Sequence, residues 1–314
     1  MYDVLVVGDY SVDLIFTGLP QMPELGKDIV ASGFAMIPGE AYNNAVAMHR
    51  LGLKVGWAGD FGNDEFSRFA IQQAEAEGLE TSLFVRHKRP LRRISVAASF
   101  PHERGFLTYY DPDPPMPAAI KALAAASARL LFVPGFYTGP FLDGALKLAR
   151  LKKMKVAMDG NTGGNNPLQN IDQDKAARKA VQGVDVLLPN ASEVRQLTTQ
   201  DDLAQGLRSL GKLCPLIVAK DGARGSYAFS RGEIIHAPAL PVNPVDTTGA
   251  GDCFDAGFIK AWLDDLPLLD CLRWGNVAGG LSTLACGATG YKVSADEVKR
   301  WLKELPPAAL TGAQ

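Results

Sequence analysis

The pattern that most narrows what this chain can fold into is a regular alternation of short apolar runs with helix-forming segments. Arg129–Val133, Lys155–Met158, Val184–Leu188 and Leu216–Ala219 read as buried strands, with helices predicted over Pro140–Arg150 and Asp172–Gln182. Strands that are apolar almost throughout and alternate with helices mark a parallel sheet covered on both faces. Tyr2–Val7 and Lys54–Gly59 add two such strands near the start, and Tyr227–Phe229 reads as another. The fold class is α/β, and ligands in such folds sit on loops at the carboxyl ends of the strands.

Composition removes several function classes. The 314 residues are 47% hydrophobic and 21% charged, which allows a large core, and the whole of 1–314 reads as a single α/β domain. A net charge of -2 gives no footprint for nucleic acid or a membrane surface. No apolar run approaches the ~20 residues that span a bilayer, and the N-terminus lacks a basic region and a cleavage site. Cys214, Cys253, Cys271 and Cys286 are scattered, as expected of free thiols in a reducing cytoplasm.

The chemistry concentrates in residues 245–259. Thr247 and Thr248 supply hydroxyls, Gly249, Ala250 and Gly251 have almost no side chain, and Asp252 opens an apolar helix. A glycine-rich turn feeding a helix exposes unpaired N–H groups that suit a phosphate. A carboxylate there can take a proton from an attacking hydroxyl. Without its partners this would be a plain tight turn into a buried helix. Asp246, Thr248, Gly249, Gly251, Asp252 and Gly257 in register favour the chemical reading. The spacing is neither a Walker loop nor a G-x-G-x-x-G fingerprint, which counts against a dehydrogenase.

From Asp246 onward, D-T-T-G-A-G-D-C-F-D-A-G-F resembles the C-terminal motif of the ribokinase-like (PfkB) carbohydrate kinases, with every position filled. The resemblance extends over about residues 3–305. It implies a central, mostly parallel sheet with helices on both faces and a small β-sheet lid, built from strands at about 14–37 and 92–110. It also implies transfer of the γ-phosphoryl group of ATP to a sugar or nucleoside hydroxyl. Asp252 would be the general base, and the amides of Gly249, Ala250 and Gly251 the anion hole. Asp13, in a loop after the first strand, would bind substrate hydroxyls.

Further motifs fit the same resemblance. Pro38-Gly39-Glu40-Ala41-Tyr42-Asn43 begins a helix that ends Arg50-Leu51-Gly52, with Pro38 in place of a glycine. Gly39 and Asn43 would contact the substrate, although Asn43 also suits a helix cap. Asn190 and Glu193 match an N-x-x-E motif that would orient Mg²⁺ through water; a capping box is the plain alternative. Gly222 and Gly225 match a loop beside the nucleotide, where Lys220-Asp221 replaces the commoner Thr-Leu. Lys220, Gly222, Gly225, Thr248, Asn276 and Gly287 would line the ATP site, with Asn276 near the base. Asp246 and Thr248 occupy a motif beside which family members often bind K⁺. The lid would also serve a homodimer.

The acceptor is left open among three classes. Neutral sugars such as fructose or ribose come first. Nucleosides follow, stacked on Phe16, Tyr42 or Phe106. Anionic sugars come third, met by Arg92 or Arg93 from a segment, 86–93, with five Lys/Arg in eight residues. A rival from another class is an idle sugar- or nucleotide-binding regulator. A free Asp titrates at about 3.9 and the helix dipole would lower it, so Asp252 is expected to be ionised and weakly basic.

Overall fold

The computed structural model describes residues 1–100, 104–114, 117–161 and 169–305. The first three residues of the turn-like connection expected at Pro101–Arg104, and the tail from Pro306, lie outside them. In chain order the elements are β1 (Tyr2–Val7), β2 (Tyr10–Thr17), β3 (Gly33–Glu40), α1 (Ala41–Arg50), β4 (Val55–Ala58), β5 (Asp60–Phe61), α2 (Glu65–Ala76), β6 (Val85–Arg86), β7 (Arg93–Ser99) and β8 (Arg104–Tyr110). Then come α3 (Ala118–Ala125), β9 (Ala128–Val133), α4 (Pro140–Leu151), β10 (Lys155–Asp159), α5 (Lys175–Gly183), β11 (Val186–Leu188), α6 (Ala191–Thr198), α7 (Leu203–Leu210) and β12 (Leu216–Lys220). β13 (Ser226–Ser230), β14 (Glu233–Ala237), α8 (Ala250–Leu263), α9 (Leu268–Ser282) and α10 (Ala295–Glu304) complete the order.

Eight strands form one sheet in the order β14-β13-β12-β11-β10-β9-β1-β4, parallel from β4 to β12 with two antiparallel strands at the far edge. Alternation along β1 explains why both faces are covered. Val4 and Val6 pack with α1, α2, α8 and α9, while Leu5 and Val7 pack with α3 to α7. The strand order reverses beside β1, because β4 lies on one side of it and β9 on the other. A crevice opens at the carboxyl ends of strands at such a switch point.

A separate sheet, ordered β3-β2-β7-β8, forms the predicted lid. Its register sorts the side chains. Ile37, Asp13, Ser95 and Thr108 share one row, and Met36, Leu14, Val96 and Leu107 share the next, on the opposite face. The first face is polar near the core and the second is apolar.

Several local expectations shift. Asp13 lies within β2 rather than in a loop after β1. Pro38–Glu40 end β3, so α1 starts at Ala41 and Glu40, not Asn43, takes the cap position. The helix predicted from Asp172 begins at Lys175, because the Asn170 side chain accepts the Asp172 N–H in a turn and Asp174 supplies the cap. Arg50 earns its place at the end of α1 by a two-point ion pair with Glu77, both bonds 2.8 Å, and a 2.7 Å bond to the Thr289 carbonyl. No helix among the described residues is long and apolar enough to cross a membrane.

Candidate active site

α8 starts where the chain turns through Gly249, whose φ of 70° lies in the left-handed region. A Cβ there would stand 2.0 Å from the Ala288 side chain, so only glycine fits on both counts. The Ala250 N–H lies 3.2 Å from the Thr247 carbonyl and closes a turn. The amides of Gly249 and Gly251 make no backbone hydrogen bond among the described residues, which leaves two open donors rather than the three expected. Asp246 locks this loop in place. Its two oxygens accept the N–H groups of Thr248 and Gly287, each at 2.9 Å. A Cβ on Gly287 would lie 2.6 Å from Ile37, so the lid touches the same loop.

Asp252 sits in the first turn of α8, and its Oδ2 accepts the Asn43 Nδ2–H at 3.0 Å. This bond joins the helix that follows the lid to the helix that carries the expected base. Burial pushes the Asp252 carboxyl up to about 7, the charge of Asp159 adds to that, and Asn43 and Lys220 oppose it. The expected lowering by the helix dipole is therefore overturned, because loss of hydration outweighs it. A carboxylate that titrates near neutrality is a better proton acceptor than an ordinary Asp.

Lys220, at the end of β12, points at the same place. Its Nζ lies 2.8 Å from Asp159 Oδ1 and 3.0 Å from Asp255 Oδ1, and a Cβ on Gly251 would be 3.8 Å away. Burial alone would push its pKa down, but Asp159, Asp255 and Glu193 together raise it above the usual lysine value. Burial likewise holds Asp255 well above the carboxylate range, against the pull of Lys220. A fixed ammonium thus stands beside the open amides.

Asn190 and Glu193 form a complete capping box at the start of α6. Asn190 Oδ1 accepts the Glu193 N–H at 2.9 Å, and the Glu193 carboxylate accepts the Asn190 N–H and Nδ2–H, each at 2.7 Å. Burial raises the Glu193 pKa, and Asp159 adds to it. Each Glu193 oxygen accepts one of these bonds and keeps a further lone pair.

On the lid side, Ser11 Oγ donates to Asp13 at 3.2 Å, and burial raises the Asp13 carboxyl to about 6. A Cβ on Gly39 would lie 2.8 Å from Asp13 Oδ2, so the glycine keeps this carboxylate clear. Asn43 Oδ1 is buried and has no hydrogen-bond partner. Away from this cleft, Gly222 and Gly225 bound a short 3₁₀ turn with φ of 54° and 93°. Asn276 Nδ2 donates to the Ala237 and Pro238 carbonyls, both at 3.0 Å, so its amide hydrogens tie α9 to the loop after β14.

The aromatic and basic candidates fall differently. Tyr42 is 2% exposed and packs against Trp57, which leaves no face for a base. Phe16 packs at a tilt against Phe34 on the lid face opposite Asp13. Arg92 pairs with Asp111 at 3.0 Å, and Arg93 is buried between Asp9 at 2.9 Å and Asp113 at 2.5 Å. Sequence reasoning missed Asp9, Glu40, Tyr110 and Asp255. The last was detectable, since it stands three residues after Asp252 and so on the same side of one helix.

The model of the pfkB family of carbohydrate kinases matches residues 1–294. The chain is 26% identical over 306 residues to a ribokinase of Bacillus subtilis, covering 96% of this chain and 100% of that one. It is 27% identical over 321 residues to a fructokinase of Vibrio alginolyticus, covering 96% and 99%. Among solved structures, the Arabidopsis thaliana ribokinase complexed with ribose and ATP superposes with a TM-score of 0.80 at 22% identity, covering 96% and 99%. The α/β core with its second sheet, the open amides before Asp252 and the family match over residues 1–294 agree: the chain belongs to the pfkB family of carbohydrate kinases and is a phosphotransferase that acts on a hydroxyl group.

Proposed function

We propose that the chain transfers the γ-phosphoryl group of ATP to a hydroxyl of a small fructose- or ribose-like sugar. The observation that carries this reading is the Asn43–Asp252 bond, which holds the base between the lid and the open amides of Gly249 and Gly251. Asp13 and Asn43 hold the acceptor hydroxyls, with Gly39 keeping the pocket clear. Asp252 takes the proton as the acceptor oxygen bonds to the γ-phosphorus and the bond to the ADP oxygen breaks. The Gly249 and Gly251 amides, Ala250 at the same turn, and Lys220 face the phosphoryl oxygens. Phosphoryl transfer of this kind rests mostly on positioning and electrostatics, which suits a site with few reactive groups. The ribokinase and fructokinase relatives support the sugar class.

Thr248, Gly222, Gly225, Asn276 and Gly287 wall the nucleotide in this reading. Mg²⁺ would neutralise charge on the phosphate oxygens. Asn190 and Glu193 fit it through water, because Glu193 is a buried carboxylate with lone pairs left over. A K⁺ ion beside Asp246 would reinforce the lock that the Thr248 and Gly287 amides already make. Phe34, Met36, Leu107 and Tyr109 are exposed on the lid face turned from Asp13, which supports a homodimer through the lid. Four free thiols suit a cytoplasmic setting.

The test is ADP release from Mg·ATP against a panel of sugars and nucleosides, with K⁺ present or replaced by a large organic cation. Turnover of a pentose or ketohexose supports the reading. Turnover of nucleosides alone would replace it, and silence with ATP still bound would favour an idle regulator.

A further inference from the structure

Glu40 is the last residue of β3 and follows Gly39, which faces Asp13. Regular alternation would turn Glu40 to the apolar face of the lid. Its backbone, at φ 56° and ψ −129°, breaks that alternation. Its carboxylate instead accepts the Tyr110 hydroxyl at 2.5 Å. Tyr110 pairs with Arg93 on the polar face, and its ring lies 5.5 Å from the Arg93 guanidinium. β3 and β8 are the two edges of the sheet, so this bond closes the root of the lid across its whole width. Left-handed backbone at a residue other than glycine persists only where the surroundings hold it, and such residues cluster at ligand clamps.

The charges around this point are one-sided. Among the described side chains, Asp9, Asp13, Glu40 and Asp113 lie around one cation, Arg93, whose Nη2 is already paired with both Asp9 and Asp113. Two buried groups nevertheless retain hydrogen-bonding capacity, Asn43 Oδ1 as an acceptor and Arg93 Nε as a donor. Ionised carboxylates only accept hydrogen bonds. A neutral polyol offers O–H donors to all of these acceptors. A sugar acid or sugar phosphate brings one more anion, and the cation it meets there among the described side chains, Arg93, already faces two carboxylates.

We infer that Glu40, held by Tyr110, sets the charge class of the acceptor, so that the pocket takes a neutral polyhydroxyl sugar and rejects sugar acids and sugar phosphates. This rests on the reading above that Asp13 and Asn43 bind the acceptor.

The test compares kcat/KM for D-ribose and D-fructose with that for D-ribonate and 2-keto-D-gluconate, by ADP release at pH 8.5. Burial raises Glu40 to about 7, so it is ionised under these conditions. Wild type should prefer the neutral sugars, and Glu40→Gln should narrow that preference by about tenfold, the effect of one like charge a few ångströms away. Glutamine keeps an oxygen for Tyr110. If that variant does not fold, Glu40→Gly removes the charge and suits the backbone. A wild-type preference for the acids overturns the inference, as does a ratio unmoved by both substitutions. Silence from all four acceptors would instead strike the sugar-acceptor reading on which it rests.

Discussion

Asp252→Asn should make the protein inactive and more stable at once. A carboxyl whose pKa is raised on folding destabilises the native state as pH rises. Its contribution is harmless below the unfolded value of 3.8 and reaches its full cost above the folded value of about 7. The interval of 3.8 to about 7 corresponds to at most about 4 kcal/mol at pH 8. The cleft is open to water, which reduces this to about 1–2 kcal/mol. Asparagine has the same shape and still offers an oxygen to Asn43 Nδ2, so little packing is lost. The variant should melt about 1.5–3 °C higher at pH 8. At pH 5 about a third of that gain should remain, since 5 lies about a third of the way from 3.8 to 7. ADP release should fall by about 10²–10⁴. A variant that melts below wild type at pH 8, or gains equally at both pH values, would refute the desolvation argument. Turnover within tenfold of wild type would refute the base assignment.

The same carboxyl predicts that wild-type kcat/KM falls as pH drops below about 7 and levels off above it, because only the ionised form accepts a proton; a profile flat down to pH 5 would count against Asp252. Lys220→Met should cost about 3–5 kcal/mol in a denaturant melt, because it strands Asp159 and Asp255 without their cation, and adding Asp255→Asn should restore part of it. Undiminished stability in the single variant would show that the pairs are not as drawn. Glu193→Gln should raise the Mg²⁺ concentration for half-maximal rate, and an unchanged requirement with a lowered melting temperature would leave Glu193 as a cap alone.

The sequence carried the parts of this site that are local. Asn190 and Glu193 lie within one helical turn, and the run from Asp246 to Asp252 is one loop with the first turn of α8, so spacing alone brings them together. The β–α alternation was equally plain, because each parallel strand is buried on both faces and reads as an apolar run. Lys220, Asp159 and Asp255 come from β12, β10 and α8, and no spacing links them; only the order of strands in the sheet does. Asp13 was assigned to a loop because β2 begins only three residues after β1 ends, too short a gap to show as a boundary. α3 carries little start signal in the sequence, because its alanine-rich run has Pro117 in place of a polar cap. The Asp252 pKa departs from the sequence expectation for a related reason. The helix start is visible in sequence, whereas the desolvation that outweighs it depends on what packs above.

The charges divide the cleft by function. Amides and an ammonium line the side on which the phosphates would lie, at Gly249, Gly251 and Lys220. Carboxylates line the lid side, at Asp13 and Glu40, around one neutralised arginine. Asp252 stands on the boundary, where neither side solvates it well. That position fits a carboxyl pushed up to about 7 chiefly by burial, with Asp159 adding to the shift and Asn43 and Lys220 opposing it. A polar group that donates, placed at Asp13 or Glu40, would blur the division. The cost would be misplacement of ATP as much as loss of the sugar.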